Sequence, residues 1–429
     1  MKFKNLIKWI KSLGIYGRRN VLTVFMLGIT SGLPLALTAG TFRIWLTEIG
    51  ITSSLIGIMS IVALPYSLKI LWAPIIDNYS IPYLTEKLGR RKSWLIVTQI
   101  ALIISIVFLG IIDPVDNLYY TGICALMVAF FSATQDIIIN AYRIELLAKE
   151  EQVAGVASYI FGYRIGMLCT SAGALWLSQY YSWFVVYSSS ALIIFFGIYF
   201  ISQIAEPNNY NFNNVKSQNL HQAFYKAIIG SFKDFSSKPG WQFIILFTIF
   251  FKLGDAMAEV MTESFLIQIG FSKLELAKIV KLFGFCSTLI GVFIGGVMVY
   301  RLGMFKSLWI CGILQMLTNL IFVLQAFVGY SPELLAVTIG AENLTGGMGA
   351  TVFVSYLSSL CNLTYTGTQY AILSALSNIA RTILAAPSGH LALSIGWVNF
   401  FIATTLAAFP GLILLYYMTK IVKNKVNQT

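Results

Sequence analysis

Several ionisable side chains stand inside long apolar runs of this 429-residue chain, where charge is expensive. A charged group at mid-bilayer costs several kcal/mol unless it is paired or wet, so each is a candidate for function. Ser132, Asp136, Asn140 and Arg143 recur every three or four residues, with Gln135 beside them. At helical spacing the four fall on one stripe about 80° wide. Lys252, Asp255, Glu259 and Glu263 repeat the pattern, while Lys69, Arg164, Glu342 and Arg381 stand singly in other runs. A carboxylate in a low dielectric has a raised proton affinity and can load and release a proton as its access changes. That assigns proton coupling to Asp136, Asp255 and Glu259. Lys69, Arg164, Lys252 and Arg381 suit an anionic substrate, with arginine able to grip it bidentately. The plainer reading is pairing between helices, Asp136 with Arg143 or Arg164 and Lys252 with Asp255. Asp77 and the run Gly89-Arg90-Arg91-Lys92 lie at a span end and in the following loop. They suggest a gate carried by Asp77, Arg90 and Arg91, or else a helix-terminal acid and topogenic bases.

The elements that must position these groups follow from hydropathy. The chain is 57% hydrophobic and 11% charged, with a mean hydropathy of +0.77. Soluble domains are about a quarter charged, so the missing charge has given way to lipid-facing surface. Runs of about twenty apolar residues, each long enough to cross about 30 Å of hydrocarbon as a helix, recur throughout. Six spans are expected over 20–46, 54–76, 93–112, 119–147, 152–180 and 183–205. Six more are expected over 241–268, 276–300, 306–329, 333–361, 369–395 and 397–420. The organisation is then an amphipathic N-terminus (1–19), a six-helix bundle (20–205), a polar linker (206–240), and a second bundle with a short tail (241–429). The fold class is an all-α membrane protein of about twelve transmembrane helices in two pseudo-symmetric six-helix bundles.

Lysine and arginine crowd the N-terminus, the loop at 87–92, the linker and the C-terminal tail. The positive-inside rule therefore puts both termini in the cytoplasm. Phe3, Leu6, Ile7, Ile10 and Leu13 share a stripe opposite lysines, as in a helix lying on an anionic leaflet. The first apolar run reads as a retained span, without a cleavage pattern. The net charge of +12 sits in short loops and termini, which excludes a nucleic-acid face. The five cysteines each lie in an apolar segment, the only histidines are His221 and His390, and there is no phosphate-binding Gly-Lys-Ser/Thr loop. No metal, no cofactor and no enzymatic site is expected. Lipid is the expected surround and a monomer the expected state.

The two halves echo each other at an offset of about 215 residues, as duplicated transporters do. Gly89 to Trp94 matches Gly303 to Trp309, each just before the third span of its half. Trp45-Leu46 with Ile49-Gly50 matches Phe265-Leu266 with Ile269-Gly270, and Arg164 before Trp183 matches Arg381 before Trp397.

Asp77 followed by Gly-Arg-Arg-Lys resembles the loop signature of the major facilitator superfamily, with a longer spacer than usual and with Tyr300 where the second copy would carry an acid. Along nearly its full length the chain is similar to muropeptide permeases of the AmpG type. The matching stretches include 31–38, 69–77, 132–136, 162–167, 252–256, 312–315, 342–349, 368–369 and 373–377. The resemblance implies a proton-driven importer of N-acetylglucosaminyl-1,6-anhydro-N-acetylmuramyl peptides in the bacterial inner membrane, serving cell-wall recycling. Carboxylates of such a substrate would suit the cavity bases. Its sugar hydroxyls would suit Gln135, Gln315, Asn319 and Asn343 as paired donors and acceptors. The alternative is a carrier of another large anion, such as an acyl-coenzyme A or a siderophore.

Overall fold

The computed structural model describes residues 14–207 and 220–426; the amphipathic stripe expected over residues 2–13 lies outside them. Twelve helical paths follow one another. They are α1 (Arg19–Glu48), α2 (53–78), α3 (Arg90–Ile111), α4 (Leu118–Leu146), α5 (Gln152–Ser178) and α6 (Trp183–Gln203), then α7 (241–268), α8 (273–302), α9 (Met304–Val328), α10 (Pro332–Ser359), α11 (366–395) and α12 (397–426). A further helix, Leu220–Ser236, occupies much of the expected linker. Among the described residues, eight helical runs are long and apolar enough by themselves to cross a membrane. The more broken or more polar paths are α2, α7, α10 and most of α11.

The breaks sit where the sequence supplies polar or conformationally unusual residues. α2 is a string of short pieces in which 3-10 turns Ser60–Ala63 and Lys69–Leu71 alternate with helix. α7 is interrupted at Lys252, between Trp241–Phe250 and Leu253–Gln268. π-turns, which often mark functional places in helices, occur at Cys169–Gly173, Leu276–Phe283 and Ala380–Leu384. Gly396, with φ +75°, makes the turn between α11 and α12.

The expected repeat is visible in backbone geometry. α1 and α7 end in the same glycine cap: Gly50 N–H donates to Thr47 and Ile51 N–H to Leu46, as Gly270 does to Ile267 and Phe271 to Leu266. This double bond satisfies the last carbonyls of a helix. Trp183 stacks on Trp45 at 5.5 Å and donates to Glu48; Trp397 packs on Phe265 at 5.2 Å and donates to Gln268. Gly89 and Gly303, with φ +89° and +82°, open α3 and α9 in the left-handed region that a side chain resists.

By contacts the chain forms two units, 14–231 with 361–371, and 232–360 with 372–426. The turn before α11 and the start of α11 thus group with the first unit. Inside that unit α1 and α5 approach closely through glycine: a Cβ on Gly28 or Gly32 would strike the carbonyl oxygen of Tyr159 or Tyr163, and one on Gly162 or Gly166 that of Phe25 or Ile29. In the second unit α8 and α10 do the same, with Gly291 against Leu344, Gly295 against Met348, and Gly347 against Thr288. Small residues give membrane helices this proximity, since lipid supplies no hydrophobic drive between them.

Candidate functional site

In the first unit the stripe on α4 forms as its spacing requires. Asp136 receives the Ser31 hydroxyl from α1 at 2.5 Å and has Lys69 Nζ at 3.9 Å. Its ionic partner is therefore Lys69, not Arg143 or Arg164. The 3-10 turn Lys69–Leu71 brings the buried ammonium up to α4, while Arg143 lies two turns along the same helix and bonds Asn140 instead. α2 is fastened to α4 on either side of this pair, by Tyr66 to Ser132 at 2.9 Å and Trp72 to Thr134 at 3.0 Å. Gln135 points elsewhere: one residue on from the stripe it faces α1, fully buried, and donates to the Thr30 carbonyl. Arg164 is exposed on α5.

In the second unit Gln315 donates to Asp255, whose charge also feels Lys252 and Glu259. Glu342 on α10 shares this field, with Asp255 and Glu259 as its charged neighbours. The expected sugar-binding amides are largely engaged within the protein. Asn343 accepts from Thr288 at 2.9 Å and donates to Ile339, and Asn319 is 1% exposed, its amide nitrogen without a hydrogen bond. Glu259 is exposed on α7. Arg381 lies in the π-turn of α11, and its side chain is outside those described.

The residues expected to form a gate come together in a buried clasp at the end of the spans that carries the Arg90–Lys92 run. Asp77 is 1% exposed. Its Oδ1 accepts from Arg91 at 2.8 Å and from Gly367 N–H at 3.2 Å, and its Oδ2 from the Thr368 N–H and hydroxyl at 2.6 and 2.7 Å. Asp77 thus caps the start of α11, where unpaired N–H groups and the helix dipole favour an anion. Arg91 forms a forked pair with Glu145, 2.5 and 3.0 Å, and Arg90 donates to the Asp77 carbonyl. Glu206 caps α3 through the N–H groups of Arg91 and Lys92, at 2.7 and 3.1 Å. Burial pushes its carboxyl up from the ordinary range, and those two donors oppose the shift. Gly89 is needed twice here, because a Cβ would also run into Glu206.

Glu145, Glu206, Thr368, Ser31 and Tyr159 were not singled out from sequence. Glu145 carried a signal, two residues beyond Arg143 at the end of a charged helix. Thr368 stood in a stretch matched by the resemblance, but nothing in the sequence tied it to Asp77, 291 positions away.

Two related bundles with ionisable groups at mid-span and a buried ionic clasp at one end define a secondary transporter. The sequence profile described as Major Facilitator Superfamily matches residues 21–381. The anhydromuropeptide permease of Escherichia coli K12 is 36% identical over 91% of this chain and 78% of its own length. The transporter AmpG 4 of Rickettsia felis is 38% identical over 92% of this chain and 96% of its own. Among solved structures, the proton:xylose symporter XylE bound to 6-bromo-6-deoxy-D-glucose superposes with a TM-score of 0.70 at 14% identity, covering 94% of each chain. FucP gives 0.69 at 12% identity over 93% of this chain and 97% of its own. The chain belongs to the major facilitator superfamily, among its AmpG-type permeases, and is a multi-pass membrane transporter of small molecules.

Proposed function

We propose that this protein is a proton-coupled importer of anhydro-muropeptides in a bacterial inner membrane, with both termini in the cytoplasm. The observation that carries the reading is the likeness, over nine-tenths of the chain, to a protein named anhydromuropeptide permease. The site agrees with it. Asp136 is a half-buried carboxylate held by one lysine and one hydroxyl, a setting that can accept a proton without breaking a larger ionic lattice. Asp255, with Glu259 beside it, is the counterpart in the second unit. Lys69, Arg164, Lys252 and Arg381 offer positive charge to stem-peptide carboxylates, and Gln315, Asn319 and Asn343 offer amides to sugars once the helices rearrange. The clasp of Asp77, Arg90 and Arg91 stands at the basic end, which the positive-inside rule puts in the cytoplasm, and works as a gate.

The test is uptake of a labelled anhydro-muropeptide into energised membrane vesicles. Accumulation should collapse with a protonophore. Asp136→Asn should lose uphill accumulation while retaining downhill exchange. Accumulation by wild type that ignores the protonophore, or no uptake at all, would overturn the coupling or the substrate respectively.

A further inference from the structure

A run of side chains connects Asp136 to the segment that Asp77 holds, and all of it lies within the first unit. Ser31 has a single hydroxyl proton and gives it to Asp136 at 2.5 Å. The Tyr159 hydroxyl lies 3.0 Å from Ser31 Oγ. With the Ser31 proton committed, Tyr159 is the donor of that second bond. Beyond Tyr159 sits Arg143, fully buried, its guanidinium carbon 5.6 Å from the centre of the Tyr159 ring and 5.7 Å from that of Tyr370. Such cation–ring contacts grow stronger out of water. Arg143 also hydrogen-bonds Tyr370. Tyr370 is two residues past Thr368, whose N–H and hydroxyl are both spent on Asp77. A second connection runs along α4 itself. Asn140 donates to the Asp136 carbonyl at 2.8 Å, and Arg143 donates to the Asn140 side chain at 3.2 Å.

We infer that Arg143, clasped between Tyr159 and Tyr370, is a positioning residue that couples the charge on Asp136 to the hold of Asp77 on residues 366–370. The inference rests on Asp136 being the proton carrier proposed above. While Asp136 is charged, the Ser31 and Tyr159 hydroxyl protons both point toward it, and Arg143 faces the electron-rich side of Tyr159. When Asp136 takes up a proton it can donate to Ser31. The Ser31 proton then turns to Tyr159, whose own proton must swing away from Ser31. The contact with Arg143 is rearranged, and Tyr370 and Thr368 move with it. The other groups near Asp136 are Lys69 and Tyr66 on α2 and Tyr163 on α5, with Arg164 next to Tyr163. Among the described residues none of these hydrogen-bonds residues 366–370, so the relay through Tyr159 and Asn140 is the route the geometry provides.

Hydrogen exchange reads the clasp directly, because the Gly367 and Thr368 amides are the ones Asp77 binds. The experiment follows the peptide spanning 361–371 in the full-length protein in lipid nanodiscs, at acidic and neutral pH, corrected for intrinsic exchange rates. Wild type should lose protection in acid by about tenfold, within the usual range of coupling between sites. Asp136→Asn should show the acid level at both pH values. Asp77 binds the segment and Glu145 shares Arg91 with it, so any response that survives in Asp136→Asn belongs to the clasp itself. Tyr159→Phe keeps the ring and removes only the relay hydroxyl, and Arg143→Lys keeps the charge without the planar fork. Both should flatten the pH response while a peptide from α9 exchanges as in wild type. A full wild-type response in both variants, or none in wild type, overturns the link. If that happens while uptake remains protonophore-sensitive, the transport reading stands and only the relay falls. Protonophore-insensitive uptake would remove the proton carrier, and the relay with it.

Discussion

The two halves keep the same scaffold and have parted in their charges. Both end their first span in a glycine cap, dock a tryptophan on it, and open their third span from a left-handed glycine. At the basic end, however, the first unit gathers Asp77, Arg90, Arg91, Glu145 and Glu206 into one buried lattice. The second has exposed Tyr300 in the place of the acid, with Arg301 over its ring at 6.0 Å. At mid-span the order reverses. The first unit holds one acid tightly, whereas the second gathers Asp255, Glu259 and Glu342, with Lys252 beside Asp255. Backbone devices survive duplication because either half fails to pack without them. Charges are free to specialise, since the close helix packing of either half does not rest on them.

The contrast can be broken most forcefully at Asp77. Asp77→Asn removes a partner from a fully buried guanidinium, a change that costs about 3–5 kcal/mol, and it weakens the cap on α11. Melting temperature and uptake should both fall sharply. Tyr300→Phe, at the matching exposed position, should stay within about 0.5 kcal/mol of wild type. Equal damage from the two would mean that the second half carries a clasp of its own.

Next in size are the close helix pairs, where the halves should behave alike. Gly32→Ala and Gly291→Ala each drive a Cβ into a backbone oxygen, and overpacking of this kind costs about 1–3 kcal/mol. Size-exclusion profiles in detergent should show loss of monodisperse protein for both. A tolerant Gly291→Ala would show that α8 and α10 can part where α1 and α5 cannot.

Smaller again is the effect of Arg164→Lys, which keeps charge and loses the planar fork. Half-saturation of muropeptide uptake should rise about tenfold with expression unchanged, as expected when roughly one charge-assisted bond is weakened. Arg381→Lys should match it if both halves grip the substrate. Wild-type uptake by both variants would take the arginines out of binding.

The smallest change is at Glu206. Its folded-state affinity for a proton is raised by burial, so its contribution to stability is complete in acid and is lost as pH rises through that raised value. Glu206→Gln cannot ionise. Its melting temperature should therefore gain on wild type as pH goes from acidic to neutral, and a gap that ignores pH would show that the carboxylate is no burden there.

The spans, the repeat and the α4 stripe were legible in sequence, because apolar runs and helical spacing are local properties. The partner of Asp136 was not, since it depends on a 3-10 turn in α2 that no propensity announces. The clasp was half legible: the basic run and Asp77 stood out, but Thr368 lies far along the chain and Glu206 fell in what reads as a linker. The partners the amides hold in this structure were not legible, for a physical reason. Within a bilayer every polar group needs a partner, so Gln135, Gln315 and Asn343 answer first to the helices around them, and only a change of conformation could turn them to a ligand.

The fragmented course of α2 bears on how the chain enters the membrane at all. Lys69 stands near the middle of a segment with few regular backbone bonds, and a lone lysine at mid-bilayer costs about 2.5–3.5 kcal/mol on insertion scales. The ribosome delivers α2 some sixty residues before Asp136, Ser132 and Thr134, the groups on α4 that answer Lys69, Tyr66 and Trp72. Until α4 arrives, the Lys69 ammonium, the Tyr66 hydroxyl and the Trp72 N–H lack the partners they have in the finished fold. The acid proposed above to carry a proton is thus also the charge that Lys69 must wait for during synthesis.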